Sequence, residues 1–138
     1  MKKKIFIASD HAGFDLKTKL NKHFSSIIDL GTNSNKSVDY PDFANKLTHE
    51  ILNNKESIGI LICGSGIGMS IAANRHPNIR AGLVHNAELA KLIRQHNNAN
   101  VLVLPGRFID VQEAIKCVEN FLNTEFESGR HKKRIDKI

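Results

Sequence analysis

The chain has 138 residues, 41% of them hydrophobic, which is enough for one domain with a substantial core. We therefore predict a single domain over residues 1–138. The formal net charge of +6 at pH 7 is concentrated in Lys2–Lys4 and in residues 130–138, so the body of the chain is close to neutral. A neutral body with two basic ends, one tyrosine and no tryptophan is a poor surface for duplex binding or base stacking, and we expect no nucleic-acid partner.

The two cysteines, Cys63 and Cys117, are too few for a disulfide framework and are typical of a reducing compartment. The apolar run near the N-terminus, residues 5–8, is too short for the core of a signal peptide. No apolar stretch reaches the length of a transmembrane helix. We therefore expect a cytoplasmic protein without a membrane partner.

Strand-like and helix-like patterns alternate along the chain. Short apolar runs predict five strands, at residues 4–9, 27–30, 58–63, 81–84 and 101–104. Apolar residues at helical spacing lie between them, and the last helix is the clearest because Asp110 and Glu113 form a capping-box pattern before an apolar stripe. Five strands with helical crossovers predict an α/β fold, a three-layer doubly wound five-stranded parallel sheet, here with a basic C-terminal arm.

A glycine-rich motif follows the third predicted strand, where Cys63 precedes residues 64–68 and a helix-like segment begins. Glycines let successive backbone N–H groups converge on a ligand, and a helix N-terminus favours negative charge and a nearby thiolate. The loop lacks the lysine of a Walker A motif, and Met69 replaces the third glycine of the dinucleotide fingerprint. A tight turn with an inert buried cysteine has the same pattern, so the motif alone leaves both interpretations open.

Doubly wound sheets bind ligands at the carboxyl ends of their strands, near the switch in strand order. Polar residues cluster at these predicted ends, with Asp10 and His11 after the first strand and Arg107 after the fifth. His96 and Asn97 end the fourth helix. The seven histidines show no paired-ligand spacing, so we predict no metal site.

Six motifs occur together, in order and without large insertions, over essentially the whole chain. They are SDHAGF (9–14), DYPDFA (39–44), ICGSGIGMSIAANR (62–75), RAGL (80–83), RQHNNANVLVLPGR (94–107) and FESGRHKKRI (126–135). This combination resembles type B ribose-5-phosphate isomerase and the wider family that includes galactose-6-phosphate isomerase subunits. The resemblance implies a Rossmann-like fold of the predicted kind.

The resemblance also implies the activity. Family members interconvert an aldose and a ketose phosphate through an enediolate, here ribose 5-phosphate and ribulose 5-phosphate of the pentose phosphate pathway, with no metal or organic cofactor. Their base is a cysteine before the glycine loop or a glutamate just after it. Met69 stands at the second position, so the resemblance assigns the base to Cys63. It assigns proton relay between the two oxygens to the hydroxyl of Ser65, and ring opening to His96, whose imidazole exchanges protons near neutral pH.

The resemblance further implies which residues bind the sugar phosphate. They are Asp10, His11, Gly64, Ser65, Gly66, Ile67, Gly68, Asn97, Arg107, Arg130 and Arg134. Loop N–H groups would stabilise the enediolate, with Ile67 contributing backbone alone, and the three arginines would hold the phosphate with forked donors. Family members are homodimers or tetramers of dimers with shared active sites, so His96 and the basic arm are expected to serve a neighbouring subunit.

Several alternatives remain open. Within the same class, the substrate would be a six-carbon sugar phosphate, allose 6-phosphate or galactose 6-phosphate. In a different class, the chain would be a non-catalytic sugar-phosphate-binding module with a structural Cys63. Residue by residue, Asp10 is equally typical of a helix N-cap and His96 of a helix C-terminus, and residues 130–138 alone resemble a solvated, disordered tail.

Overall fold

Five parallel strands form the centre of the structure, a computed structural model that describes residues 3–138 and leaves Lys2 outside. The strands are β1 (Ile5–Ser9), β2 (Ile27–Asp29), β3 (Ile58–Cys63), β4 (Ala81–Leu83) and β5 (Val101–Pro105). They pair in the order β2-β1-β3-β5-β4, and every pair is parallel. The predicted five-stranded parallel sheet is confirmed, and each boundary lies within one residue of its prediction.

Helices cover both faces of the sheet. Within residues 3–138 they are α1 (Phe14–His23), α2 (Tyr40–Asn53), α3 (Ile67–Ala73), α4 (Ala87–Gln95), α5 (Val111–Asn123) and α6 (Arg130–Ile135). The core has two halves, one between the sheet and α1, α4 and α5, the other between the sheet and α2 and α3. This is the predicted three-layer arrangement. None of the helices in the described part of the chain has the length and hydrophobicity that crossing a bilayer demands.

The central strand, β3, has a continuous apolar sequence because it is buried on both faces. All six residues of β3 are buried, because both faces of a parallel sheet are covered by helices. Successive side chains point to opposite faces, so Ile60 and Ile62 pack towards α1 and α5 while Leu61 and Cys63 pack towards α2 and α3. Cys63 therefore ends β3 at its carboxyl end, on the α2–α3 side.

The switch in strand order lies between β1 and β3, because β2 pairs with one edge of β1 and β3 pairs with the other. Backbone contacts hold this edge together. The Asp10 N–H donates to the Ile62 carbonyl at 3.2 Å, and the Gly106 N–H donates to the Cys63 carbonyl at 2.8 Å. A Cβ on Gly13 would lie 2.5 Å from the Ile62 carbonyl oxygen, so this close approach requires glycine.

The start of α5 and the C-terminal arm differ in detail from their predictions. Asp110 caps α5, accepting from the Glu113 N–H at 2.9 Å, but the Glu113 carboxylate does not complete the capping box: it accepts from the Ala87 N–H at 2.7 Å and so joins α5 to the start of α4. The C-terminal arm is not irregular, since residues 130–135 form α6 and His131 is buried.

Candidate active site

A cleft of about 500 Å³ opens at the carboxyl ends of β1 and β3, at the switch in strand order. Eight of its lining residues are ones that the sequence singled out: Asp10, His11, Cys63, Gly64, Ser65, Ile67, Gly68 and Arg107. Three others, Ala12, Tyr40 and Ile71, were not among the predicted site residues. Of these, Tyr40 belongs to the DYPDFA motif that contributes to the resemblance.

Cys63 lies at the base of this cleft. It is 5% exposed and packs in the same apolar cluster as Met69 and Ala73. The hydrogen bond from Gly106 to its carbonyl fixes its backbone between β5 and the glycine loop. The thiol thus lines the cleft from a rigid, largely dry position, which suits a group that must meet one carbon atom of a ligand.

The glycine loop needs its glycines for separate reasons. Gly66 has a φ of +77°, in the left-handed region, and a Cβ there would lie 2.4 Å from the Leu83 side chain. A Cβ on Gly68 would lie 2.5 Å from the ring of Tyr40. Gly66 shapes the turn into α3 without lining the cleft, whereas Gly68 lines it and leaves space for the tyrosine.

Ser65 makes a hydrogen bond inside the loop that the sequence did not reveal. Its Oγ accepts from the Ile67 N–H at 3.2 Å. The backbone group through which Ile67 was expected to act is therefore already used. The Gly68 N–H, in the first turn of α3, has no helical acceptor, and the Ser65 hydroxyl keeps its proton for donation.

Asp10 and His11 follow β1 and both have structural partners. The Asp10 Oδ1 accepts from the Gly13 N–H at 3.0 Å, which is the cap that the sequence left open, while Oδ2 accepts no hydrogen bond from residues 3–138. The His11 Nδ1 accepts from the Val38 N–H at 3.2 Å. A neutral His11 ring therefore carries its proton on Nε2, where it is a donor.

Arg107 forms the rim of the cleft on the β5 side. Its backbone N–H donates to the Gly64 carbonyl at 2.9 Å. Its guanidinium lies over Gly64, with Nη1 3.2 Å from where a Cβ would stand. An exposed guanidinium beside the glycine loop makes this rim suitable for an anion.

The remaining predicted residues lie elsewhere. His96, Asn97, Arg130 and Arg134 do not line the cleft. His96 is the C-cap of α4, and the two arginines line a separate hollow of about 240 Å³ with Lys133 and Lys137. We call the region of His96, Asn97, Glu127 and α6 the α4–α6 corner. Within one chain, the predicted site is therefore divided between the cleft and this corner.

The α4–α6 corner contains a compact side-chain cluster. The rings of His96 and His131 stack at 4.3 Å between centroids with an interplanar angle of 18°. Glu127 Oε1 lies 4.0 Å from His96 Nε2 and 3.6 Å from His131 Nε2. Burial, followed by the positive charges of His96, Arg130 and Arg134, lowers the pKa of His131 from the ordinary histidine value.

This cluster is also the place where a metal ion would have ligands. Donor atoms of His96, Glu127 and His131 all lie within 4.8 Å of one another, and two imidazoles with a carboxylate are a zinc donor set. Sequence spacing did not show it, because the fold brings together residues that are distant in the chain. The nearly parallel rings, however, direct their nitrogen lone pairs side by side rather than to a common point, so the observed arrangement favours stacking over coordination.

A second hollow, of about 480 Å³, lies at the amino ends of the strands. Its two arginines are already bound to backbone carbonyls: Arg80 donates to those of Asn97 and Asn98, and Arg94 to those of Ala99 and Thr124. These guanidiniums thus stabilise the turn after α4 and the end of α5. We therefore place the candidate site at the cleft.

Comparisons with known proteins indicate the same family that the six sequence motifs resemble. Residues 5–138 match the family model described as Ribose/Galactose Isomerase. A probable ribose-5-phosphate isomerase B of Mycoplasma pneumoniae is 48% identical over 139 residues, which cover 97% of this chain and 91% of that protein. A crystal structure of a ribose 5-phosphate isomerase from Thermotoga maritima superposes with a TM-score of 0.96 at 51% identity, covering 99% and 97% of the two chains. A ribose-5-phosphate isomerase B of Mycoplasma genitalium with bound ribulose-5-phosphate gives a TM-score of 0.94 at 45% identity, covering 99% and 94%.

Proposed function

Because the chain belongs to the ribose/galactose isomerase family, we propose that it interconverts ribose 5-phosphate and ribulose 5-phosphate. The observation that carries the proposal is the cleft, where a cysteine at a strand end lies beside the glycine loop and an arginine. A relative of the same fold holds ribulose-5-phosphate, which supports a sugar phosphate as the ligand.

In the proposed reaction, the Cys63 thiolate removes the C2 proton of open-chain ribose 5-phosphate. The electrons of that C–H bond form a C1=C2 double bond, and the C1 carbonyl oxygen takes the negative charge of the enediolate. The thiol then gives the proton to C1 while the O2 proton moves to O1, so that C2 becomes the carbonyl. All electrons stay within the sugar, and the balance requires no cofactor. Met69 supports this assignment, because it is fully buried and has no basic atom.

The glycine loop would stabilise the enediolate. The Gly68 N–H, which has no helical acceptor, would donate to the oxyanion, and the Ser65 hydroxyl would carry the proton between O2 and O1; both residues line the cleft. Asp10, through Oδ2, and His11, through Nε2–H, would bind sugar hydroxyls and the phosphate end.

A second copy of the chain would complete the site. The cleft lacks His96, the proposed ring-opening acid, and also Asn97, Arg130 and Arg134. Apolar side chains surround its mouth, with Ile67 55% exposed, Ile71 60% and Tyr40 40%. Covering them with another subunit would remove apolar surface from water and bring an α4–α6 corner to the cleft. We therefore propose a homodimer, alone or paired into a tetramer, as the functional unit.

The first experiment is a coupled isomerase assay with a metal chelator present, on the phosphates of ribose, allose and galactose. We expect turnover of ribose 5-phosphate, unaffected by chelation. Preference for allose 6-phosphate or galactose 6-phosphate would assign the six-carbon alternative. Binding without turnover of any of the three would assign a non-catalytic module.

A second experiment tests the shared site. Chains carrying Cys63→Ala and chains carrying His96→Asn are co-expressed with different tags and the mixed dimers are purified. If each site combines Cys63 of one chain with His96 of the other, every mixed dimer has one intact and one doubly defective site, and about half of the wild-type activity returns. If each site lies within one chain, the mixed dimers stay as inactive as their parents.

A further inference from the structure

The proposed mechanism uses His96 and leaves its two neighbours, Glu127 and His131, without a role. They do not line the cleft, and neither was singled out from the sequence. Yet both contact the group that would open the sugar ring. The α4–α6 corner therefore contains side-chain contacts to His96 that phosphate binding does not require.

His131 is the fixed member of the cluster. It is 6% exposed, whereas the side chains of His96 and Glu127 are 40% and 50% exposed. Its backbone N–H donates to the Ser128 carbonyl at 3.1 Å, across a turn in which Ser128 and Gly129 both have positive φ. This turn directs the start of α6 back against the end of α4, so a buried ring supports one face of an exposed ring.

Glu127 is held in place independently of its side chain. Its backbone N–H donates to the Gln95 carbonyl at 3.1 Å, one of the last carbonyls of α4. The carboxylate consequently stays near the Nε2 atoms of His96 and His131. His96 itself has little else to orient it, because it caps α4 and the chain turns away at Asn98, which has a φ of +46°.

We propose that His131 and Glu127 are positioning residues for His96, holding its imidazole in the orientation that exchanges a proton with the sugar ring oxygen. This inference deepens the proposed isomerase function and rests on it. Stacking on His131 restricts rotation of the His96 ring, and the Glu127 carboxylate provides the opposite charge when that ring is protonated.

The charges around the cluster fit this division of roles. The groups that face His131 are His96 from α4, Glu127 from the preceding segment, and Arg130 and Arg134 from α6 itself. Burial, followed by the nearby positive charges, lowers the pKa of His131 against the opposite effect of Glu127, and this lowering favours the neutral form of the ring. A neutral ring can stack on a protonated His96 without charge repulsion.

The test uses three variants of the full-length enzyme. His131→Ala removes the stacked ring, His131→Phe keeps a flat ring without its nitrogens, and Glu127→Gln keeps shape without charge. His23→Ala is the matched control, because His23 is also half-exposed, lies 4.0 Å from Glu119 and touches the ring of Phe24, far from the proposed site residues.

We expect His131→Ala to lower kcat for ribose 5-phosphate by about 10- to 100-fold, with KM nearly unchanged. This is less than the roughly 10²- to 10⁴-fold that a general acid contributes, because the acid is displaced and not removed. His131→Phe should recover most of the loss, and Glu127→Gln should lose about 3- to 10-fold. Single-turnover proton transfer from ribulose 5-phosphate, which cannot close the same ring, should change far less. The control should match the wild type.

Several outcomes would overturn the inference. Unchanged kcat in His131→Ala, or equal losses with both substrates, would reduce His131 to a structural residue. A calorimetric titration in which wild type binds one Zn²⁺ and both His131→Phe and Glu127→Gln do not would make the cluster a metal site instead. A wild-type protein inactive on every sugar phosphate would overturn the proposed function as well, which separates the two failures.

Discussion

The cleft and the α4–α6 corner are built by different means. The cleft is made from the ends of buried strands. The Gly106 N–H donates a hydrogen bond to the Cys63 carbonyl at 2.8 Å, and Cys63 is only 5% exposed. The corner is made from side chains at helix ends, where His96 is 40% exposed and its nearest charged partner, Glu127, lies 4.0 Å away. One region is rigid in the isolated chain, and the other is exposed to solvent.

This difference corresponds to the two parts of the proposed reaction. Moving a proton between adjacent carbons requires the base and the oxyanion donors to be placed to a fraction of an ångström, and strand ends provide that. In the proposed homodimer, the groups that hold the phosphate and open the ring enter a neighbouring subunit's cleft. Such groups must stay at the surface of the isolated chain, as those of the corner do.

The largest expected effect comes from removing the Cys63 thiol from the cleft. Cys63→Ala should lower isomerase turnover by about 10⁴-fold, at the upper limit for loss of a general base, while sugar-phosphate binding measured by calorimetry stays within about threefold. Cys117→Ala is the matched control, since Cys117 is buried in α5 away from the cleft. Wild-type-like turnover in Cys63→Ala would contradict the cysteine mechanism.

The next largest effect is expected from removing arginines of the α4–α6 corner, which leaves the cleft unchanged. Arg130→Ala and Arg134→Ala should each raise KM for ribose 5-phosphate by about 10- to 100-fold, because hydrogen bonds to charged groups contribute about 1.5–3 kcal/mol. Lys132→Ala is the control on the same helix, since Lys132 pairs with Asp136 at 2.7 Å and does not line the basic hollow. A fall in RNA or DNA affinity with an unchanged KM would instead assign the arm to nucleic acid.

Much of the rigid region could be predicted from the sequence because its causes are local. A continuous apolar run specifies a strand buried on both faces, as β3 is. The rule for parallel sheets then places Asp10 and Cys63 at one edge, where the structure has them. The glycine-rich turn before α3 was also predicted, and in the structure Gly66 gives that turn its positive φ.

The remainder depends on contacts between distant segments, which periodicity does not encode. The ring of Tyr40 packs on Gly68, and His131 stacks on His96, although nothing near either residue in the chain requires it. The internal hydrogen bond from Ile67 to Ser65 is local, but its geometry follows from the turn rather than from residue type. A glutamate four residues before a histidine in FESGRH was the available signal for the corner, and such pairs are common on surfaces.

A smaller effect tests how tightly the cleft wall is packed. Gly68→Ala would place a Cβ 2.5 Å from the Tyr40 ring, so the half-exposed ring must move. We expect a loss of about 1 kcal/mol in the free energy of unfolding, measured with urea. In a Tyr40→Ala background, the sign should reverse to a gain of up to about 1 kcal/mol, because alanine is the better helix former. Equal costs in both backgrounds would show that the tyrosine does not determine the need for glycine.

The smallest expected effect concerns the thiol of Cys117, which lies in the core away from the cleft. Burial, with a minor contribution from Glu113, raises the pKa of Cys117 from 9.0 to about 12. Above pH 9 the unfolded chain loses this proton while the folded chain keeps it, so the folded state binds more protons and stability falls as the pH rises. A single group contributes a slope of about 1.4 kcal/mol per pH unit at most.

Cys117→Ala should therefore show a shallower decline in the free energy of unfolding between pH 9 and 10, by about 1 kcal/mol per pH unit, in urea titrations under reducing conditions. Every other ionisable group is common to both proteins, so its contribution cancels in the difference. The loss of the buried sulfur lowers stability equally at every pH and does not affect the slope. Parallel slopes would mean that Cys117 ionises as readily in the folded protein as in the unfolded chain, and that burial in α5 does not hold its proton.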